Sequence, residues 1–164
     1  MGYLFPESKF LVQAEQQAML LGQYEVRVDE KGRCAFPKKF REVLGDELIV
    51  TQGYESSLII VSQKEWDALL EGTRGRPFIE YETRETQRFL LGGASQIALD
   101  SKGRFVLPNY LRTFAGIENE VIFLGLSRYV EVWDKKRWTE YQKELSKNIE
   151  KISERLIKKG EKNG

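Results

Sequence analysis

The word DEKGR begins at Asp29 and DSKGR begins at Asp100, and the copies continue alike, as DEKGRCAFPKKFR and DSKGRFVLPNYLR. Asp, Lys, Gly, Arg, Pro and a closing Arg recur at an offset of 71 residues, Asp29 to Asp100. LLGQYEVRVD leads into the first copy and LLGGASQIALD into the second. Further on, IVTQGYESSLIIVSQKEW answers VIFLGLSRYVEVWDKKRW, setting Gly53 against Gly125 and Trp66 against Trp138. That second offset is 72, one residue more. So ordered a match is an internal duplication. It constrains the fold severely: one half is too small to close a sheet and would leave sticky unpaired edges. The halves must complete each other.

Each half reads as strand, hairpin turn, strand, short helix, two strands, helix. Tyr24, Val26 and Val28 alternate before the first turn, as Ile97 and Leu99 do before the second, the pattern of half-buried strands. In the turns, Asp29 and Asp100 can accept a bond from the backbone two residues on, and Gly32 and Gly103 can take a positive φ. Pro37 and Pro108 then pre-set φ at a first helical position. Phe40, Val43 and Leu44, like Leu111, Phe114 and Ala115, follow at helical spacing. Gly45 and Gly116 stand where a left-handed cap is expected.

The chain thus divides into an N-terminal extension (1–18), a first repeat (19–71), a linker with a connecting helix (72–88), a second repeat (89–138) and a C-terminal helix with a disordered basic tail (139–164). Met19 is the natural start of the folded unit. GTRGRPF marks the linker, and a helix beginning near Thr83 carries Phe89, Leu90 and Leu91 inward. Asp134 caps the last helix, whose apolar stripe is Trp138, Tyr141, Leu145, Ile149, Ile152 and Leu156. Terminal KKGEKNG reads as irregular. The fold class is α+β: two pseudo-symmetric repeats interlocked in a small β-barrel, with both DxKGR hairpins side by side at one end.

Composition removes several chemistries. There is no histidine and a single cysteine, Cys34, so zinc clusters, Ser-His-Asp and Cys-His arrangements have no residues to form from. The reading is of a non-enzyme with no cofactor. No span is apolar enough to cross a membrane, and the opening MGYLFPESKFLVQAEQQA is not a secretion signal. The unpaired cysteine with no secretion signal places the protein in the cytoplasm. Cys34 itself reads as a small strand residue.

Two readings of the repeated word remain open on chemistry alone. An Asp-x-x-Gly turn with a neighbouring Arg is ordinary surface structure, and its ion pair contributes about 0–1 kcal/mol. Yet the turn needs Asp and Gly, not Lys31, Arg33, Lys102 or Arg104. Those four cations, widened by Lys38, Lys39, Arg41 and Arg112, suit double-stranded DNA: arginine reads guanine in the major groove while lysine holds phosphate. The alternative is an antitoxin-like or adaptor module whose charged hairpins face another protein. Trp66, Trp133 and Trp138 read as core rather than as stacking platforms. Lys143, Lys147, Lys151 and Arg155 read as a solvated helix face.

The doubled DxKGRxxxPxxxR, the LLG before each copy and VEVWDKKRW near the end resemble the MraZ family of bacterial transcriptional regulators, and more distantly the AbrB-type swapped-hairpin DNA-binding modules. The resemblance covers about Met19 to Glu154. It implies a nucleoid-associated repressor of the division and cell-wall gene cluster that often binds its own promoter. It also implies a ring-shaped homo-oligomer, with DNA contacts from Asp29 to Arg33 and from Asp100 to Arg104. A near-neutral protomer, formal charge +1, binds a polyanion weakly alone. Several protomers on successive short repeats gain roughly 10²–10⁴ in avidity, so the expected operator is a promoter with tandem short repeats.

Overall fold

The computed structural model describes residues 19–164; the expected N-terminal extension lies outside the described residues. Among the described residues, eight strands and five α-helices follow in chain order: β1 (Leu20–Arg27), β2 (Arg33–Ala35), α1 (Lys38–Leu44), β3 (Glu47–Gln52), β4 (Leu58–Ser62), α2 (Gln63–Leu69), α3 (Tyr81–Leu90), β5 (Ser95–Ala98), β6 (Arg104–Val106), α4 (Asn109–Ala115), β7 (Glu120–Ser127), β8 (Tyr129–Asp134) and α5 (Lys135–Lys162). A 3-10 turn, Glu71–Thr73, separates α2 from α3.

The halves exchange strands. β1 of the first half pairs antiparallel with β7 of the second, and β5 of the second pairs with β3 of the first. β4 and β8 join the halves at the centre. The six-stranded order β1-β7-β8-β4-β3-β5 reads the same when each strand is replaced by its repeat mate and reversed. A pseudo-two-fold therefore passes through the directly opposed pair Ile59 and Glu131. It passes also between Cys34 and Phe105, which face each other where β2 and β6 form a separate ribbon.

The expected barrel does not close. β1 and β5 are the two edges of an open sheet and do not pair with each other. The second half spends its LLG differently: Leu90 ends α3 and Leu91 to Gly93 form a turn, whereas Leu20 to Gly22 are strand. β5 is consequently four residues against eight in β1. The ribbon covers one sheet face instead: Cys34, Phe36, Phe105 and Leu107 pack with Val50, Ile60, Phe123 and Val132 in the main core. Phe36, Phe105 and Phe123 meet edge-on at 5.7–6.5 Å. The other sheet face carries two smaller clusters, around Trp66 and around Trp133 with Trp138, so all three tryptophans are core.

Strand register refines the duplication. Leu48 lies opposite Ile97 as Val121 lies opposite Val26, which makes Leu48 and Val121 equivalent at an offset of 73. The second copy gains two residues entering β7 and loses one in the following turn, so Gly53 and Gly125 are not structural mates. Smaller departures have local causes. Pro37 and Pro108 sit one place earlier than expected, as N-caps in extended backbone. α3 starts at Tyr81 and buries Leu90, while Leu91 falls past its end and is exposed. Asp134 caps α5 as read, its carboxylate accepting from the Arg137 amide. That helix runs on through Lys162, so most of KKGEKNG is helical; Lys159 and Lys162 in the last turn complement the helix dipole.

Candidate nucleic-acid interface

The turns build the site. In the first, the Gly32 amide donates to the Asp29 carbonyl at 2.9 Å and the Asp29 amide to the Arg33 carbonyl at 3.0 Å. Asp29 Oδ1 accepts from the amides of Lys31 and Arg33, both at 2.9 Å, and its Oδ2 accepts from Arg33 Nε at 2.8 Å. The second turn repeats the network: Lys102 and Arg104 amides donate to Asp100 Oδ1 at 2.8 and 2.9 Å, and Arg104 Nε to Oδ2 at 3.1 Å. The Arg33 amide, with its side chain, holds the Asp29 carboxyl below its usual range, and the Arg104 amide does the same for Asp100. Each arginine is thus tied by Nε to its own turn, and the expectation that the turn has no use for it is corrected. The terminal nitrogens of these two guanidinium groups make no hydrogen bond among the described residues.

The ribbon then decides which way these arginines face. Cys34 and Phe105 point into the core, while Arg33, Ala35 and Val106 are exposed and Arg104 half-exposed. Arg33 stands opposite Val106 and Arg104 opposite Ala35, so strand alternation puts all four on one outer face. The arginine side chains are 45% and 39% exposed. The turns themselves are not side by side. Antiparallel pairing places each turn at the N-terminal end of its own strand, so Lys31 and Lys102 flank the ribbon at opposite ends.

Each turn is braced from the other half. The Leu107 amide donates to the Gly32 carbonyl at 2.8 Å and the Phe36 amide to the Gly103 carbonyl at 2.9 Å. Gly32 and Gly103 have φ of +83° and +74°. A methyl group on Gly32 would meet the Leu107 carbonyl oxygen at 3.0 Å and an Arg112 terminal nitrogen at 3.3 Å; on Gly103 it would meet an Arg41 terminal nitrogen at 3.1 Å. Arg41 and Arg112 therefore sit over the glycine of the opposite turn. Arg41 Nε is bound to Asp46 at 2.7 Å; Arg112 Nε is buried with no partner among the described residues.

Lys38 and Lys39 are exposed at the start of α1. Lys38, Arg41 and Lys102 line one cleft with Glu42 and Asp46. Arg27, Arg33, Arg104 and Arg112 line another with Asp29, Glu30, Glu118 and Glu120. Sequence reading missed Arg27, which reaches this cleft from β1, and the outward Ala35 and Val106. Alternation about buried Cys34 and Phe105 was the signal for the last two; for Arg27 only the strand exchange reveals it. Burial pushes the Cys34 thiol up to about 12, which suits a packing residue rather than a redox sensor. Among the described residues no group of side chains has metal-ligand form, and no helix is long and apolar enough to cross a membrane.

A family model described as "MraZ protein, putative antitoxin-like" matches the chain twice, over residues 19–89 and 90–160. Among curated proteins, the chain is 41% identical over 138 residues to the transcriptional regulator MraZ of Caldanaerobacter subterraneus, covering 84% of this chain and 96% of the relative. It is 38% identical to the MraZ of Syntrophomonas wolfei and 39% to that of Acetivibrio thermocellus, each over 87% of this chain and 99% of the relative.

Proposed function

The chain belongs to the MraZ family, and from that premise we propose that it is a sequence-specific DNA-binding transcriptional regulator, a cytoplasmic, nucleoid-associated repressor of the division and cell-wall gene cluster. It acts as a ring of identical subunits on a promoter with tandem short repeats. The observation that carries this reading is the shared outer face of Arg33 and Arg104. A two-stranded ribbon enters a major groove, and an arginine fixed through Nε offers its outer nitrogens to guanine O6 and N7. Ala35 and Val106 between them suit a thymine methyl. Lys31, Lys102, Lys38 and Lys39 hold phosphates and set register; Arg41 and Arg112 brace the turns and extend the patch.

Carboxylates share the ribbon's surroundings, so a single protomer holds DNA weakly and affinity comes from several ribbons on one duplex. Binding then falls steeply with salt. The same mixed charge is what favours the second reading, a protein-facing antitoxin-like or adaptor module.

The test is charge reversal at both arginines. Arg33→Glu with Arg104→Glu is expected to abolish retention of promoter fragments at low salt while far-UV dichroism and assembly mass stay as in the parent protein. Unchanged retention would transfer the ribbon to the protein-binding reading.

A further inference from the structure

The final helix runs 28 residues, Lys135–Lys162, and only its first part packs on the sheet. Trp138 is buried and Leu145 half-buried against the sheet cluster, but every residue from Ser146 onward is exposed. The free part of α5 projects roughly 25 Å at 1.5 Å per residue. Most helical stability in proteins comes from packing an apolar face, and the free part of α5 packs its own against nothing among the described residues. Leu145, Ile149, Ile152 and Leu156 continue the buried stripe at spacings of four, three and four, the a/d pattern of two heptads. Ile149, Ile152 and Leu156 are 46%, 42% and 71% exposed.

The flanks of that stripe differ. Asn148, Arg155 and Lys162 recur every seventh residue on one side, and Ser146, Ser153 and Gly160 on the other. In a parallel pair of helices one flank meets the partner's opposite flank; in an antiparallel pair each flank meets its own kind. Antiparallel pairing sets the flank of Asn148, Arg155 and Lys162 against its own copy and the small flank against its own copy, leaving Arg155 no small residue to lie across. Parallel pairing sets Asn148 beside the partner's Ser153 and Arg155 beside the partner's Gly160, so that the arginine stem lies across a small residue and covers the seam. A lipid surface is a poorer match, because Glu150, Glu154 and Glu161 stand among the lysines that would meet headgroups.

We propose that the distal half of α5 pairs in parallel and in register with α5 of a second copy of this chain. The contact is separate from the ribbon; it goes beyond the ring reading and rests on it for the contacts that bring copies together. Being two heptads long, it is weak by itself and forms when other contacts have brought copies together.

Single-cysteine placement in the full-length protein tests it. Parallel register brings each stripe position beside itself, so Ile152→Cys and Leu156→Cys, made separately, are each expected to yield a disulfide-linked dimer on mild oxidation; Cys34 is buried. Ile149→Glu with Ile152→Glu is expected to lower the helical signal by roughly a quarter as the unsupported turns fray. The proposal is overturned if neither cysteine variant cross-links, or if only one does, as an antiparallel crossing would give. It is equally overturned if cross-linking is absent and the helix forms only on vesicles of phosphatidylglycerol, which would make it a membrane contact. Promoter retention is scored in the same preparations; its loss or survival bears on the regulator reading and leaves the cross-link result standing.

Discussion

The two DxKGR turns and the two ends of the pseudo-two-fold axis obey opposite rules. Away from the axis the turns repeat each other nearly bond for bond, carboxylate to amide and carboxylate to Nε. On the axis the equivalent residues confront each other, and there the copies disagree: Cys34 against Phe105, and Ile59 against Glu131. A residue off the axis can be duplicated freely because its mate stands elsewhere. On the axis two identical side chains would compete for one volume, and at Cys34 and Phe105 a large partner goes with a small one. Divergence there is a packing solution, whereas identity at the turns demands a reason that both copies share.

The axis pair offers the largest test of that contrast. Phe105→Ala removes a ring that touches Phe36 and Phe123 and is expected to cost about 3–5 kcal/mol in denaturant unfolding. Cys34→Ala, at the equivalent position, is expected to cost about 1 kcal/mol. Cys34→Phe, which would make the copies alike, is expected to cost about 1–3 kcal/mol through overpacking. A Cys34→Phe protein as stable as the parent would show that the volume argument is wrong.

The glycines ask whether the turns are as equal as their hydrogen bonds suggest. Both positions have positive φ, so alanine is strained at either. Only at Gly32 does the new methyl meet backbone, the Leu107 carbonyl, whose own amide is bound to Gly32. At Gly103 it meets only a side chain, the terminal nitrogen of Arg41 at 3.1 Å. Gly32→Ala is therefore expected to cost about 2–4 kcal/mol and Gly103→Ala about 1–2 kcal/mol, read from paired thermal melts. Equal losses would mean that the bracing contact is interchangeable between halves.

What the sequence disclosed and withheld follows the same division. Turn chemistry, helix stops and the burial of Trp66 and Trp138 depend on a few adjacent residues, and the pattern carried them. The pairing of β1 with β7 and of β5 with β3 depends on strand exchange, which no local pattern states. Interlocked halves were expected, but as a closed barrel; the sheet stays open because the second LLG goes into the end of α3 and a turn, leaving β5 four residues against eight in β1. The site divides likewise. The Asp29 and Asp100 turns were legible, but the reach of Arg41 to Gly103 and of Arg112 to Gly32 crosses between halves. Repetition of both arginines at the same offset was visible; the contact that explains it was not. The two inserted residues before β7 escaped because an alignment through Gly53 and Gly125 hides a gain and a loss behind one net residue.

The smallest expected effect bears on those bracing arginines. Arg41 Nε is neutralised by Asp46, the residue after Gly45. After Gly116 the chain carries Ile117, which is buried in the main core, so the second brace has lost its carboxylate and Arg112 Nε is left unpaired. An unsatisfied buried donor costs stability that an apolar side chain of similar length does not. Methionine keeps most of the stem that lies over the glycine while removing the donor. Arg112→Met is thus expected to leave Tm unchanged or raise it, and Arg41→Met to lower it slightly by breaking the Asp46 pair. If both substitutions lower Tm alike, Arg112 is satisfied after all and the two braces are energetically one. If they separate as expected, the second half holds an arginine that its own stability does not favour, the outcome that a binding role for Arg112 in the proposed interface requires.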